Sequence, residues 1–192
     1  CDMLARPSNI EINNRLVGFG MSNVSENNWE AVMVTILHYL SIRMDYNQTL
    51  QKATRLIVDE TQVVSEKPGS IKQLNDAVIT FRKFGGIVTM AMQNISKVLA
   101  NQKLMEIYQN CSYKCFFTQD GVDAQSLASV QPLSAKDYHM LTSGKEGEGI
   151  IVWDKKVIPF SARIEKDNPL YEPYNTNFHE KAKRKEEQIR ME

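Results

Sequence analysis

Cysteine is scarce: Cys1, Cys111 and Cys115 are the only three in 192 residues. An odd, low count argues against a disulfide framework and fits a reducing compartment. Cys111 and Cys115 stand as C-x3-C, but no second Cys or His pair lies nearby to complete a zinc site, so both read as ordinary thiols. Long apolar runs are missing as well. No stretch reaches the roughly 18 apolar residues of a membrane-spanning helix. The N-terminus has no basic segment leading into an apolar one, so no signal peptide is expected. It also lacks an initiator Met, which hints at a piece cut from a longer protein. Net charge is absent too: 23 basic residues balance 23 acidic ones. That gives no support for a long-range field drawing in DNA or an anionic membrane, although a local patch stays open.

Enough apolar residues are present, 42% of the chain, to build the core of one domain. Residues 1–15 read as an irregular lead-in. "RLVGFGMSNV" reads as a strand near residues 16–22. In "SENNWEAVMVTILHYLSIRM", Trp29, Met33, Ile36, Leu40 and Met44 recur at helical spacing behind capping residues from Ser25 to Asn28. "TRLIVDE" follows, with Leu56, Ile57 and Val58 unalternated, as in a strand covered on both faces. Ile71, Leu74, Val78 and Phe81 mark the face of a helix that Gly85-Gly86 stops. "IVTMAMQN" predicts a third strand, "SKVLANQKLMEIYQN" a helix and "SYKCFFTQ" a fourth strand. This alternation implies right-handed crossovers and a mostly parallel sheet over residues 16–119. Residues 120–176 predict two short helices around Pro132, then a hairpin joined around Asp154-Lys155-Lys156. Residues 177–192 predict a charged helical tail.

The stretch "RLIVDETQ" ends an apolar strand in two adjacent acids, Asp59 and Glu60. In an open parallel sheet, ligands sit beyond the carboxyl ends of the strands. Nucleotide hydrolysis needs an acid near magnesium and a carboxylate to orient or deprotonate water, and one strand tip can supply both. An apolar strand end followed by Asp-Glu is a Walker B candidate. The plainer alternative is a strand surfacing in two solvated acids. Gln93 and Asn94 end the next strand, where an amide could hydrogen-bond a γ-phosphate or the attacking water; Asn94 or Ser96 could equally cap a helix. Arg82 and Lys83 sit in a last helical turn, where cations suit the dipole. Alternatively Arg82 neutralises charge on a transferring phosphoryl group, in its own subunit or a neighbour's.

The order of these motifs resembles the conjugative type IV secretion assembly ATPases, RecA-like members of the HerA/FtsK group. It comprises a strand with Asp-Glu, a helix ending in Arg-Lys-x-Gly-Gly, a strand ending in Gln-Asn, then "CFFTQ". "MLTSGKEGEGIIVWDKKVIPF" and "NPLYEPYNT" look like that family's C-terminal Gly-rich turn, hairpin and closing segment, so the likeness runs over residues 16–176. The resemblance implies a three-layer RecA-like P-loop NTPase sheet, here incomplete. It implies ATP and Mg2+ as cofactors. Asp59 matches the acid that supports magnesium through water, Glu60 the catalytic glutamate and Gln93 the sensor. Arg82 and Lys83 match a basic pair near the nucleotide or subunit boundary. It further implies a ring-like homo-oligomer, expected as a hexamer. Its partners would be the secretion channel and coupling protein, at the inner face of a bacterial cell membrane and in the cytoplasm. After Asp-Glu the family usually has Ala-Trp; here Thr61-Gln62 follows.

One expected motif is missing. A phosphate-binding loop reads G-x-x-x-x-G-K-[ST], and no such stretch exists in the 192 residues. In "GKEGEG", Glu146 replaces Ser or Thr after Gly144-Lys145, and its acids would repel phosphate. The family places this loop before everything seen here, and the loss of its strand would leave two interior sheet edges unpaired. Two further functions stay open: a non-catalytic docking module, and a DNA-translocating relative. The "KAKRK" run from Lys181 to Lys185 could touch DNA, or form a solvated helix face, since Glu180, Glu186 and Glu187 flank it. His38, His139 and His179 are far apart and read as structural or surface residues.

Overall fold

The computed structural model describes residues 14–175. Cys1, His179 and the basic run of the tail lie outside them. The chain divides into two compact units, Cys1–Ala91 and Met92–Glu192. The division falls just after the strand "GIVTM", inside the stretch expected as one core.

In the first unit, helix α1 (Glu26–Thr49) has Leu37 and Met44 as its buried residues. Trp29, Met33, Ile36 and Leu40 are half-buried, so the predicted stripe covers the core side of the helix without being fully enclosed. Strand β1 (Thr54–Val58) leads into the short helix α2 (Thr61–Ser65), then α3 (Pro68–Thr80) and a 3-10 turn over Phe81–Phe84. Pro68 opens α3 at its first position, where a missing N–H does no harm. Glu30 of α1 accepts the Gly69 amide, which ties the two helices together. Gly85 ends the turn with φ of 72°, a left-handed conformation that suits glycine. Strand β2 (Gly86–Met90) then pairs parallel with β1, Thr54 opposite Gly86 and Val58 opposite Met90. Met44, Ala77 and Phe81 form the core, with Leu56, Phe84 and Val88 packed on it. Gly86 is required by this packing, because a Cβ there would lie 2.5 Å from the Met44 sulfur and 2.8 Å from Phe81 Cβ.

In the second unit, α4 (Ile95–Ala100) and α5 (Gln102–Asn110) precede strand β3 (Tyr113–Phe117). Helices α6 (Gly121–Val130) and α7 (Ala135–Ser143) follow, the latter opened by a Ser134–Asp137 capping box. Strands β4 (Glu148–Trp153) and β5 (Lys156–Ser161) form the expected hairpin, with Asp154 left-handed at φ 54° in its turn. A short helix α8 (Tyr171–Tyr174) lies in the closing segment. The sheet order is β3-β4-β5, antiparallel throughout. Ile150 and Val152 turn one face inward with Phe116, Leu104, Ile107, Leu127 and Leu141 also buried.

Four expectations are corrected. No strand forms at residues 16–22; Leu16, Val17 and Phe19 are exposed, with no neighbouring strand to take their backbone groups. The expected single helix after β2 is two, because Asn101 accepts the amides of Lys103 and Leu104 and starts a new helix there. The sheet is not mostly parallel: β3 pairs antiparallel with the hairpin, and the one parallel pair described is β1–β2. Nor is β1 covered on both faces, since Ile57 is 62% and Ile87 46% exposed on the side opposite the core. The three-stranded sheet also carries an open apolar face, where Tyr113 stacks on Trp153 at 5.7 Å and Phe117 meets Phe160 edge-on at 5.4 Å. Among the described residues no helix is long and apolar enough to cross a membrane.

Phe81 joins α3, β2 and α1, and it is 2% exposed. Phe81→Ala should destabilise the first unit by about 3–5 kcal/mol, read as a lowered urea midpoint. Ile57→Thr, on the open face, should leave the unfolding free energy within roughly 0.5 kcal/mol of the parent.

Candidate functional site

The end of β1 is shaped by hydrogen bonds that continue the ladder past its last residue. Ala91 donates its amide to the Val58 carbonyl at 2.9 Å, and Thr61 donates its amide to the Ala91 carbonyl at 3.0 Å. Thr61 is fully buried, and its hydroxyl also donates to the Val58 carbonyl. Asp59 and Glu60 are the two residues between these anchors, and both are exposed. Glu60 sits in the left-handed region at φ 48° and ψ 46°, and its amide donates to Asp59 Oδ1 at 2.9 Å. An L-residue with a Cβ is disfavoured there. Such outliers concentrate where a side chain must be aimed rather than where the backbone is relaxed. Beside them, Gln62 keeps its side-chain oxygen buried with no hydrogen-bond partner.

Because β1 and β2 are parallel, their carboxyl ends share one rim: Val58 faces Met90. Asp59 and Glu60 leave from one of these ends, and Gln93 follows the other by three residues. Gln93 belongs to the second unit and is exposed. Arg82 and Lys83 are placed differently. They are exposed on the 3-10 turn that precedes β2, at the amino ends of the strands. A five-residue strand separates that rim from the acids, roughly 13 Å at about 3.3 Å per residue. The structure thus puts Asp59 with Glu60 and leaves Arg82 and Lys83 at the other end of the same sheet, where they do not meet the acids of their own chain.

The turn after β2 is held by a residue that local sequence patterns pass over. Asn94 occupies the cap position of α4, yet its side chain makes no cap bond. Its amide instead donates to Asp123 Oδ2 at 3.2 Å, and the Ser96 amide donates to Asp123 Oδ1 at 2.9 Å. Asp123 belongs to the first turn of α6 and is 4% exposed. Burial alone would raise its carboxyl pKa. The hydrogen bonds from Ser96, through hydroxyl and backbone, and from Asn94 outweigh that and hold it below the ordinary carboxylate value. The sequence signal was an acid three residues after Asp120 at a helix start, which reads as a local cap; its partners lie 27 and 29 residues away.

Other candidates resolve simply. Burial pushes the Cys111 thiol pKa up, while Lys114 pulls the other way, so Cys111 is no activated nucleophile. The Gly144-Lys145 turn offers no phosphate cradle, since its Lys145 amide is taken by the Glu148 carboxylate at 2.8 Å. Among the described residues no group of three or more His, Cys, Asp or Glu could enclose a metal ion. A magnesium ion carried by triphosphate and water does not need one, because one or two carboxylates suffice.

The fold is shared with VirB4. One match is to VirB4 of Thermoanaerobacter pseudethanolicus, with a TM-score of 0.64 and 22% sequence identity. It covers 76% of this chain and 40% of that one, so the chain spans about two fifths of the VirB4 chain. No family model and no curated protein matches the sequence. The likeness to VirB4 concerns fold alone; this chain's described residues form a mixed α/β arrangement with one parallel and one antiparallel sheet.

Two outcomes test the local geometry. Glu60→Gly should raise stability by up to about 1 kcal/mol, because relief of the left-handed residue exceeds glycine's entropy. A fall in the urea midpoint would show that the Glu60 side chain is held by folding contacts that outweigh the strain. Asp123 has a depressed pKa, so its contribution is complete above the unfolded value of about 4 and disappears as pH falls through the lower folded value. Unfolding free energy should therefore drop on acidification below about pH 4, and Asp123→Asn should flatten that limb.

Proposed function

We propose that this chain carries the hydrolytic acids and sensor of an ATP-driven motor subunit, of the kind that energises a conjugative type IV secretion channel. The observation that supports it most directly is the shared rim of β1 and β2. Two exposed acids leave one parallel strand end, and a glutamine follows the neighbouring end. The VirB4 fold supports the same reading, as does the motif order that resembles these secretion ATPases.

In this reading Asp59 holds magnesium through water and Glu60 orients or deprotonates the attacking water. Gln93 hydrogen-bonds the γ-phosphate or that water. A magnesium ion held there would supply positive charge to offset that of the phosphates. Glu60 stands in a left-handed turn at the strand tip and is exposed there. Arg82, with Lys83, acts across a subunit boundary, since both stand at the far rim from their own acids. This arrangement requires a ring-like oligomer, for which a hexamer is the family's form. Channel components and a coupling protein are its partners, at the cytoplasmic face of the cell membrane.

A second reading, a docking module that has lost nucleotide chemistry, is favoured by one observation: the sequence holds no G-x-x-x-x-G-K-[ST] loop. The two readings separate on one variant. In a form of the protein that includes a phosphate-binding loop, Glu60→Gln should reduce steady-state ATP turnover by at least about a hundredfold while leaving nucleotide affinity within a few-fold. Unchanged turnover would remove Glu60 from its role and favour the docking module.

A further inference from the structure

We infer that Asp123 is a positioning residue for Gln93, and that through it helix α6 sets the geometry of the turn following β2. This rests on the reading of Gln93 as a sensor. The physical basis is the clamp itself. A six-residue helix, α4, begins at Ile95 and has no side-chain cap of its own. Its first-turn amide at Ser96 is satisfied from outside, by a carboxylate that is nine-tenths buried and ionised. The other oxygen of the same carboxylate holds Asn94, the residue next to Gln93. Charge-assisted bonds of this kind are about twice as strong as neutral ones. A buried carboxylate gripping Asn94 and Ser96 leaves the backbone between them little freedom.

Asp123 is itself fixed. Its amide donates to Asp120 Oδ1 at 2.8 Å, which seats it in the first turn of α6. Asp120 follows β3 by only three residues, and Gln119 between them donates its amide to the Leu141 carbonyl at the end of α7. The clamp is therefore rooted in the antiparallel sheet and its helices, not in β2. A displacement of β3 and α6 has a direct covalent and hydrogen-bonded route to the residue beside Gln93. The sensor side chain is then set by the second unit's own packing, in addition to the strand that leads into it.

The clamp and its catalytic consequence are tested separately. In this chain, hydrogen exchange at the Ser96 amide should speed up about tenfold or more in Asp123→Ala and by less in Asp123→Asn, which keeps an acceptor. Exchange at Ile150 and Val152 should be unchanged. If Asp123→Ala loses protection throughout the unit, Asn94→Ala, which removes only one donor, should still loosen Ser96 and its neighbours selectively. Unaltered Ser96 exchange in both variants overturns the clamp. In a loop-bearing, nucleotide-hydrolysing form, Asp123→Asn should lower kcat several-fold with KM little changed, and the effect should vanish in a Gln93→Ala background. An equal loss in both backgrounds overturns positioning through Gln93. A Gln93→Ala variant with full kcat overturns the sensor reading and with it the catalytic half of this inference, while the exchange data still decide the clamp.

Discussion

Ala91 gives its amide to the Val58 carbonyl and takes the amide of Thr61 on its own carbonyl. These two bonds carry the parallel β1–β2 ladder one step beyond its regular end, and the arrangement of the candidate site depends on them. They oblige the chain to travel from Val58 to a buried Thr61 in two residues. Asp59 and Glu60 are those residues, so both are forced out to solvent at the strand tip. The left-handed backbone at Glu60 follows from the same constraint, since the chain must reverse sharply to begin α2. Parallel pairing has a second consequence. It assigns the residues just before each strand to one rim and those just after each strand to the other, which parts Arg82 and Lys83, before β2, from the acids that follow β1.

Where the sequence was legible, the information was local and repeated. Helix α3 announces itself through Ile71 and Leu74, and the 3-10 turn that continues it from Phe81 stops at a glycine that adopts φ 72°. The hairpin is readable because two apolar runs flank a short polar turn. Asp59 and Glu60 stand out because two acids end an unbroken apolar stretch. What escaped was non-local. An isolated apolar run at residues 16–22 has strand composition, but a strand exists only with a partner. The direction of β3 is set by pairing with a hairpin about 30 residues downstream, and no feature inside "YKCFF" records it. Asp123 looks like any first-turn acid until Asn94 and Ser96 are brought to it. The break between α4 and α5 is the exception: its signal, Asn101 as a cap residue in mid-pattern, is local, but helical periodicity on either side masks it.

The strand pattern itself holds one more piece of physics. An uninterrupted run such as Leu56-Ile57-Val58 is typical of parallel strands buried on both faces. In the described residues only the Leu56 and Val58 side is covered, and Ile57 stands 62% exposed beside Ile87 at 46%. On the antiparallel sheet the same imbalance recurs in aromatic form, with Tyr113 66% and Phe117 50% exposed. Antiparallel sheets often leave one face to water, but that face then alternates to polar residues. Here the outward positions are Tyr113, Cys115 and Phe117 on β3, and Lys156, Ile158 and Phe160 on β5; Lys156 is the one charged residue among the six, and it lies over the Trp153 ring. Both sheets therefore have the composition of two-sided sheets and the coverage of one-sided ones. A sheet of this composition covered on one side leaves apolar area in water, at a cost of roughly 25 cal/mol for each Å² that a second layer would bury.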